Sequence, residues 1–106
     1  MDINLCLNHE GFEANLVEMI IGEFDVQYLF KFQNGYGASI VKRPGSYGYA
    51  ENLWELAVIR YDDEGEYDLE YGTEITWDVV GYQTDEEIRD LLERIKNLEE
   101  PKIEET

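Results

Sequence analysis

Val26, Tyr28, Phe30 and Phe32 alternate with Gln27, Leu29, Lys31 and Gln33, the period-two pattern of a strand with one buried face. Asn34-Gly35 follows at once, and Tyr36 to Lys42 is again strand-like. Asn-Gly between two such runs predicts a β-hairpin closed by a type I′ turn, because both residues tolerate positive φ. Leu53 to Tyr61 is apolar on both parities, with Leu53, Ala57 and Ile59 on one and Trp54, Leu56 and Val58 on the other. That pattern predicts a central strand covered on both sides. Asp62-Asp63-Glu64-Gly65 reads as a turn, Glu66 to Tyr71 as the returning strand, and Ile75, Trp77 and Val79 as one more short extended segment.

The period changes after Gln83. Thr84-Asp85-Glu86-Glu87 has the form of a capping box, in which Thr84 and Glu87 satisfy each other's backbone amides. Ile88, Leu91, Leu92, Ile95 and Leu98 then make one apolar stripe of a helix, with Asp85/Arg89 and Asp90/Arg94 as i,i+4 pairs on its outer face. Residues 99–106 read as a flexible acidic tail. Near the start, Ile3 to Leu7 alternate weakly as a short strand. Residues 8–22 fit two patterns. Phe12, Leu16, Met19 and Ile20 have helical spacing, with Asn8 as cap and Gly22 as end; Phe12, Ala14 and Leu16 alternate as a strand would. Residues 43–52, with Pro44-Gly45 and Ser46-Tyr47-Gly48-Tyr49, form a loop. Together these predict a single α+β domain over residues 1–98. It has an antiparallel sheet of about four strands, a C-terminal amphipathic helix on one face, and an N-terminal helix as an open alternative.

A chain of 106 residues with 43% apolar composition can bury one core. Cys6 is the only cysteine, whereas a small secreted domain usually carries several. Met1-Asp2-Ile3-Asn4 lacks the basic and apolar character of a signal peptide, and no run approaches a membrane span, so a cytoplasmic location is expected.

Charge sharpens the functional expectation. Residues 1–50 hold six acids and three bases, a net charge of -3; residues 51–106 hold nineteen acids and five bases, a net charge of -14. A net charge of -17 makes nucleic acid and anionic membranes poor partners and basic proteins good ones. Glu64, Glu66, Asp68 and Glu70 alternate with Gly65, Tyr67 and Leu69, so a strand here would present four carboxylates about 6.6 Å apart on one face. With Asp62 and Asp63 they form the first candidate binding surface, a mimic of a phosphate row with about half the charge density of one DNA strand. The alternative is a solvated outer face whose opposite side, Tyr67, Leu69 and Tyr71, packs inward. The second candidate surface is the tyrosine- and glycine-rich loop 43–52, with Tyr47 and Tyr49 as contacts, since tyrosine is enriched at interface hot spots. Lys42-Arg43 adds a small basic point to that loop.

Catalytic and metal chemistries find no pattern. Placing Gly65 at the sixth position of an EF-hand puts Arg60 at the first and Tyr71 at the twelfth, where acids are required. Nothing singles out one carboxylate pair from twenty-five acids for glycoside hydrolysis. Cys6 and His9 are three apart, but Cys6 reads as a small packing residue and His9 as a surface or capping side chain. No enzyme activity, cofactor or metal is expected.

Phe32-Gln33-Asn34-Gly35-Tyr36-Gly37-Ala38-Ser39-Ile40-Val41, then Ser46-Tyr47-Gly48, Leu53-Trp54-Glu55-Leu56-Ala57-Val58 and Tyr71-Gly72-Thr73-Glu74-Ile75-Thr76-Trp77-Asp78-Val79-Val80-Gly81-Tyr82, resemble a small acidic protein family of unknown function common in bacteriophages and prophages. The resemblance covers roughly residues 30–98. The family usually has Asp at position 72 and Pro at position 74, where this chain has Gly72 and Glu74, and residues 1–25 look like an addition. It carries no catalytic residue. It implies a phage accessory product in a bacterial cytoplasm. The expected function is therefore a non-enzymatic acidic inhibitor that binds a basic, nucleic-acid-handling host protein, a nuclease or defence complex, through Asp62, Asp63, Glu64, Glu66, Asp68 and Glu70. The alternative is an interaction or self-assembly module that uses loop 43–52, its acids serving only solubility. The sequence leaves the oligomeric state open.

Overall fold

A computed structural model describes residues 3–70, 73 and 79–99. Its chain order is β1 (Leu16–Ile21), β2 (Val26–Lys31), β3 (Tyr36–Lys42), β4 (Trp54–Tyr61), β5 (Tyr67–Leu69), β6 (Val80–Gln83) and the helix α1 (Asp85–Lys96). The architecture is α+β, as expected, but the antiparallel sheet has six strands rather than about four. β1 to β4 lie in chain order, and both β5 and β6 pair with the remaining side of β4. β5 takes Ile59 to Tyr61, and β6 takes Trp54 and Leu56 across a register shift. Ile75 and Trp77, expected in a short strand, lie outside the described residues, as do Tyr71 and most of the 99–106 tail.

The alternation read from residues 26–32 becomes a core. Tyr28, Phe30, Phe32, Ala38, Ile40, Trp54, Leu56 and Val58 point to one face, where Ile88, Leu91, Leu92 and Ile95 of α1 cover them. The capping box forms as read: Glu87 N–H donates to Thr84 Oγ1 at 3.1 Å, and Thr84 N–H donates to Glu87 Oε1 at 3.0 Å. The Asp85–Arg89 pairing does not. The Asp85 carboxylate instead accepts from Trp54 Nε1 at 2.5 Å and Asn8 N–H at 3.2 Å, while Arg89 donates to Asn8 O at 3.0 Å. The buried Trp54 donor outcompetes a solvated ion pair, whose net worth is small.

The hairpin at Asn34-Gly35 is present with a different turn. Only Gly35 has positive φ, at 88°. Gly35 N–H donates to Phe32 O and Phe32 N–H to Tyr36 O, so the loop is Gln33-Asn34-Gly35, a type I turn closed by a left-handed glycine. The Asn34 side chain explains the choice, because it accepts from Tyr36 N–H and donates to the carbonyls of Ile95 and Leu98 at the end of α1.

The N-terminal helix is not formed. Only a 3-10 turn, Glu13–Asn15, precedes β1, and Leu16–Ile21 is a strand paired to β2. The β-branched Val17, Ile20 and Ile21 favour the strand, and Gly22 opens a tight return to Asp25. Ile3 to Leu7 joins no ladder; side chains hold it instead. Tyr28 Oη accepts from Leu7 N–H and donates to Leu5 O, and Lys42 Nζ donates to Asn4 O. No helix of the described residues is long and apolar enough to cross a membrane.

Candidate functional site

The two surfaces expected from the sequence lie at opposite ends of the sheet. β4 runs from Trp54, beside loop 43–53, to Tyr61, at the start of the acidic turn. Eight residues separate the ends by roughly 25 Å.

The acidic end is built by the β4–β5 hairpin. Asp62 Oδ1 accepts from the amides of Glu64 and Glu66, both at 2.9 Å, and Asp62 N–H donates to Glu66 O. Asp62 is thus a turn-forming residue, and Glu64 sits inside the turn. This corrects the expected row of four: extended pairing covers only Glu66 to Glu70, from Asp62–Glu66 to the Glu70 N–H donated to Val58 O. Glu66, Asp68 and Glu70 alternate along one side, and Asp68 stands directly opposite Arg60. Asp62, Asp63, Glu64, Glu66 and Asp68 are exposed, and Glu70 is half-buried. Tyr67 and Leu69, expected to pack inward, are exposed as well. α1 packs on β3, β4 and β6, and β5 lies at the sheet's rim. Asp62, Asp63, Asp68 and Glu70 line an open groove of about 680 Å³ against the Gln33–Gly35 turn, with Arg60 its single base among the described residues.

The aromatic end is built by loop 43–53 and β6. Tyr47 O accepts from Tyr82 N–H, and both side chains are exposed, 59% and 56%. Tyr49 is half-buried, with its hydroxyl donating to Phe24 O at 2.8 Å, so it serves the fold more than a contact. Sequence reasoning missed Tyr82 because it lies far along the chain from the loop it meets. It also misplaced Lys42, which is only 2% exposed. Its ammonium donates to Asn4 O at 2.7 Å and Asn52 Oδ1 at 2.8 Å and lies 4.2 Å from the Trp54 ring centre. Burial pushes the Lys42 pKa down from 10.5, against the charge of Asp85. Arg43 alone of the expected basic pair is exposed.

The second face of the sheet carries a smaller pocket, about 300 Å³, between Val17, Glu18, Leu29, Lys31, Tyr61 and Tyr67. Lys31 Nζ lies 5.2 Å from the Tyr61 ring centre, and the buried Tyr61 hydroxyl has no hydrogen-bond partner among the described residues. Burial, then Tyr67 and Glu18, raise the Tyr61 pKa above 10.0.

Cys6 is exposed rather than packed. His9 is half-buried rather than on the surface; its ring lies 5.8 Å from Tyr28 and 5.7 Å from Phe30, and its Nδ1 faces Leu7 O at 3.0 Å. Among the described residues, no three His, Cys, Asp or Glu side chains are grouped as a metal site requires. No protein-family model, curated protein or solved structure matches the chain.

Proposed function

We propose that the chain is a non-enzymatic phage accessory protein that binds a basic, nucleic-acid-handling protein of a bacterial host through its acidic end. The observation that carries this reading is the gathering of exposed Asp63, Glu64, Glu66 and Asp68 at one end of the sheet, beside a groove whose only base among the described residues is Arg60. A lysine or arginine side chain in that groove would meet carboxylates from both the turn and β5. The phage context rests on the sequence blocks of residues 30–98. Glu66, Asp68 and Glu70 span about 13 Å, over which one DNA strand places about four phosphates. Attraction by the local field therefore fits this surface better than phosphate-by-phosphate imitation.

The test is affinity capture from a bacterial lysate at low and moderate salt, followed by competition of the captured partner with DNA. Replacing Asp63, Glu64, Glu66 and Asp68 by Asn or Gln should abolish competition and flatten its salt dependence. A quadruple variant that competes as well as the parent overturns the proposal. The exposure of Tyr47 and Tyr82 favours a second reading, a contact at the aromatic end. In that case Tyr47→Ala breaks binding and the charge changes do not.

A further inference from the structure

β1 ends the sheet on the side away from β5, and nothing among the described residues pairs with its outer edge. It is also bare of cover. Val17, Met19, Ile20 and Ile21 are 55%, 46%, 49% and 64% exposed, and Phe24 in the following turn is 64% exposed. α1 packs mainly on β3, β4 and β6, on the far side of β2 from β1. Natural edge strands are usually blunted by lysine, proline or a bulge. β1 has no lysine or proline, and its one bulge, between Leu16 and Glu18, leaves Glu18 to Ile21 regular.

The backbone says which groups are free. Gly22 N–H donates to Asp25 O across the hairpin, and Phe32 N–H donates to Tyr36 O on the other side of β2. By the alternation of antiparallel ladders, both bonds direct the N–H and C=O of Ile20 toward β2 and those of Met19 and Ile21 toward the open edge.

We propose that β1 pairs with β1 of a second copy of this chain, antiparallel and centred on Ile20, to make one continuous sheet. A two-fold axis through Ile20 sets Ile20 opposite Ile20 in a non-hydrogen-bonded pair. Met19 and Ile21 of the two copies then exchange backbone hydrogen bonds, and Glu18 meets Gly22, so no like charges stand opposite each other. Met19 and Ile21 of both copies share one face, and Ile20 with its counterpart the other.

Charge placement favours a copy as the occupant despite a total of -17. Among the described residues, those up to 50, which include β1 to β3, carry five acids and three bases, a net charge of -2, and those from 51 to 99, which include β4 to α1, carry fourteen acids and four bases, a net charge of -10. The acidic hairpin lies four strand spacings from β1, roughly 19 Å, well beyond the screening length of about 8 Å in physiological salt. In the paired sheet the two hairpins stand roughly 43 Å apart. Five apolar side chains, each about half uncovered, present on the order of 500 Å² per copy, below the roughly 800 Å² of a standard interface. The dimer should therefore dissociate on dilution.

Cysteine cross-linking reads the register. In a Cys6→Ser background, Ile20→Cys should oxidise to a covalent dimer, because a non-hydrogen-bonded pair brings the Cα atoms to about 4.5 Å, within disulfide range. Glu18→Cys should not, since its copies are displaced by four residues. By sedimentation, the unmodified chain should dimerise with rising concentration and more readily in high salt. Ile20→Lys/Ile21→Lys should stay monomeric with an unchanged far-UV spectrum, both sites being exposed. A chain that remains monomeric at millimolar concentration in high salt overturns the proposal, as does equal cross-linking at positions 18 and 20. So does a monomer whose β1 edge captures a basic protein in a way that salt weakens.

Discussion

The side-chain amide of Asn34 donates to the carbonyl oxygen of Ile95 at 2.8 Å, joining the β2–β3 turn to the last turn of α1. The same nitrogen reaches Leu98 O at 3.0 Å, and Asn34 Oδ1 accepts Tyr36 N–H at 3.0 Å. Helix ends leave carbonyls without intrahelical partners. Here a turn residue sixty-one positions away supplies the donor. Ile95 O keeps Leu98 N–H as a second donor, so Asn34→Ala should destabilise the fold by about 0.5–1.5 kcal/mol, the net worth of a hydrogen bond removed. Asn34→Asp keeps the bond to Tyr36 but loses the donor, and should recover only part. Urea midpoints of the two variants check this.

Lys42 makes stability depend on alkaline pH. Its folded pKa lies below 10.5, so between the folded value and 10.5 the unfolded chain holds a proton that the folded chain has released. Stability must then rise with pH across that window. The parent should gain stability relative to Lys42→Met as pH climbs toward 10.5, measured by urea denaturation at matched ionic strength. Near neutrality Lys42→Met should be the less stable, because Asn4 O loses its ammonium donor and Asn52 Oδ1 keeps only Asn4 N–H.

Tyr61 works in the opposite direction. Its folded pKa is raised above 10.0, so the neutral phenol contributes stability below pH 10 that is lost as pH rises through the folded value. Its hydroxyl is buried without a partner among the described residues, which costs about 1–3 kcal/mol in desolvation. Tyr61→Phe should therefore leave stability unchanged or raise it by about 1 kcal/mol, and should remove the alkaline loss. Thermal melts at neutral pH and at about pH 11 distinguish the two effects.

These residues also show what the sequence made legible. The helix could be read because its information is local: Thr84 and Glu87 cap each other, and Ile88 to Ile95 form one stripe. The β2, β3 and β4 strands could be read because one or both faces are buried, and burial imposes a pattern. β1 could not, because its apolar residues are exposed on both faces and leave no alternation to detect. Lys42 was hidden for a different reason. Asn4, Asn52 and Trp54, which make its burial tolerable, converge only after folding. The acidic end was legible as composition but not as geometry, since Asp62 spends its carboxylate on the turn and shortens the row.

Gly37 tests the register that holds the second face together. It pairs with Lys31 on β2 and Ile59 on β4, and the Tyr61 ring lies over it. A Cβ at this position would run into the carbonyl oxygen of Phe30, a backbone atom that cannot swing away, and would stand 2.8 Å from Tyr61 Cε2. Moving Tyr61 would also disturb Lys31 on its ring and Tyr67, whose ring centre is 5.7 Å away. Gly37→Ala should thus cost about 2–3 kcal/mol or more, in the range of overpacked interiors. Gly65→Ala, at φ 84° in the β4–β5 turn with open space around it, should cost only about 1 kcal/mol through backbone strain. Denaturant midpoints of the two variants set the comparison, and equal losses would mean that β2 and β3 separate freely at this point.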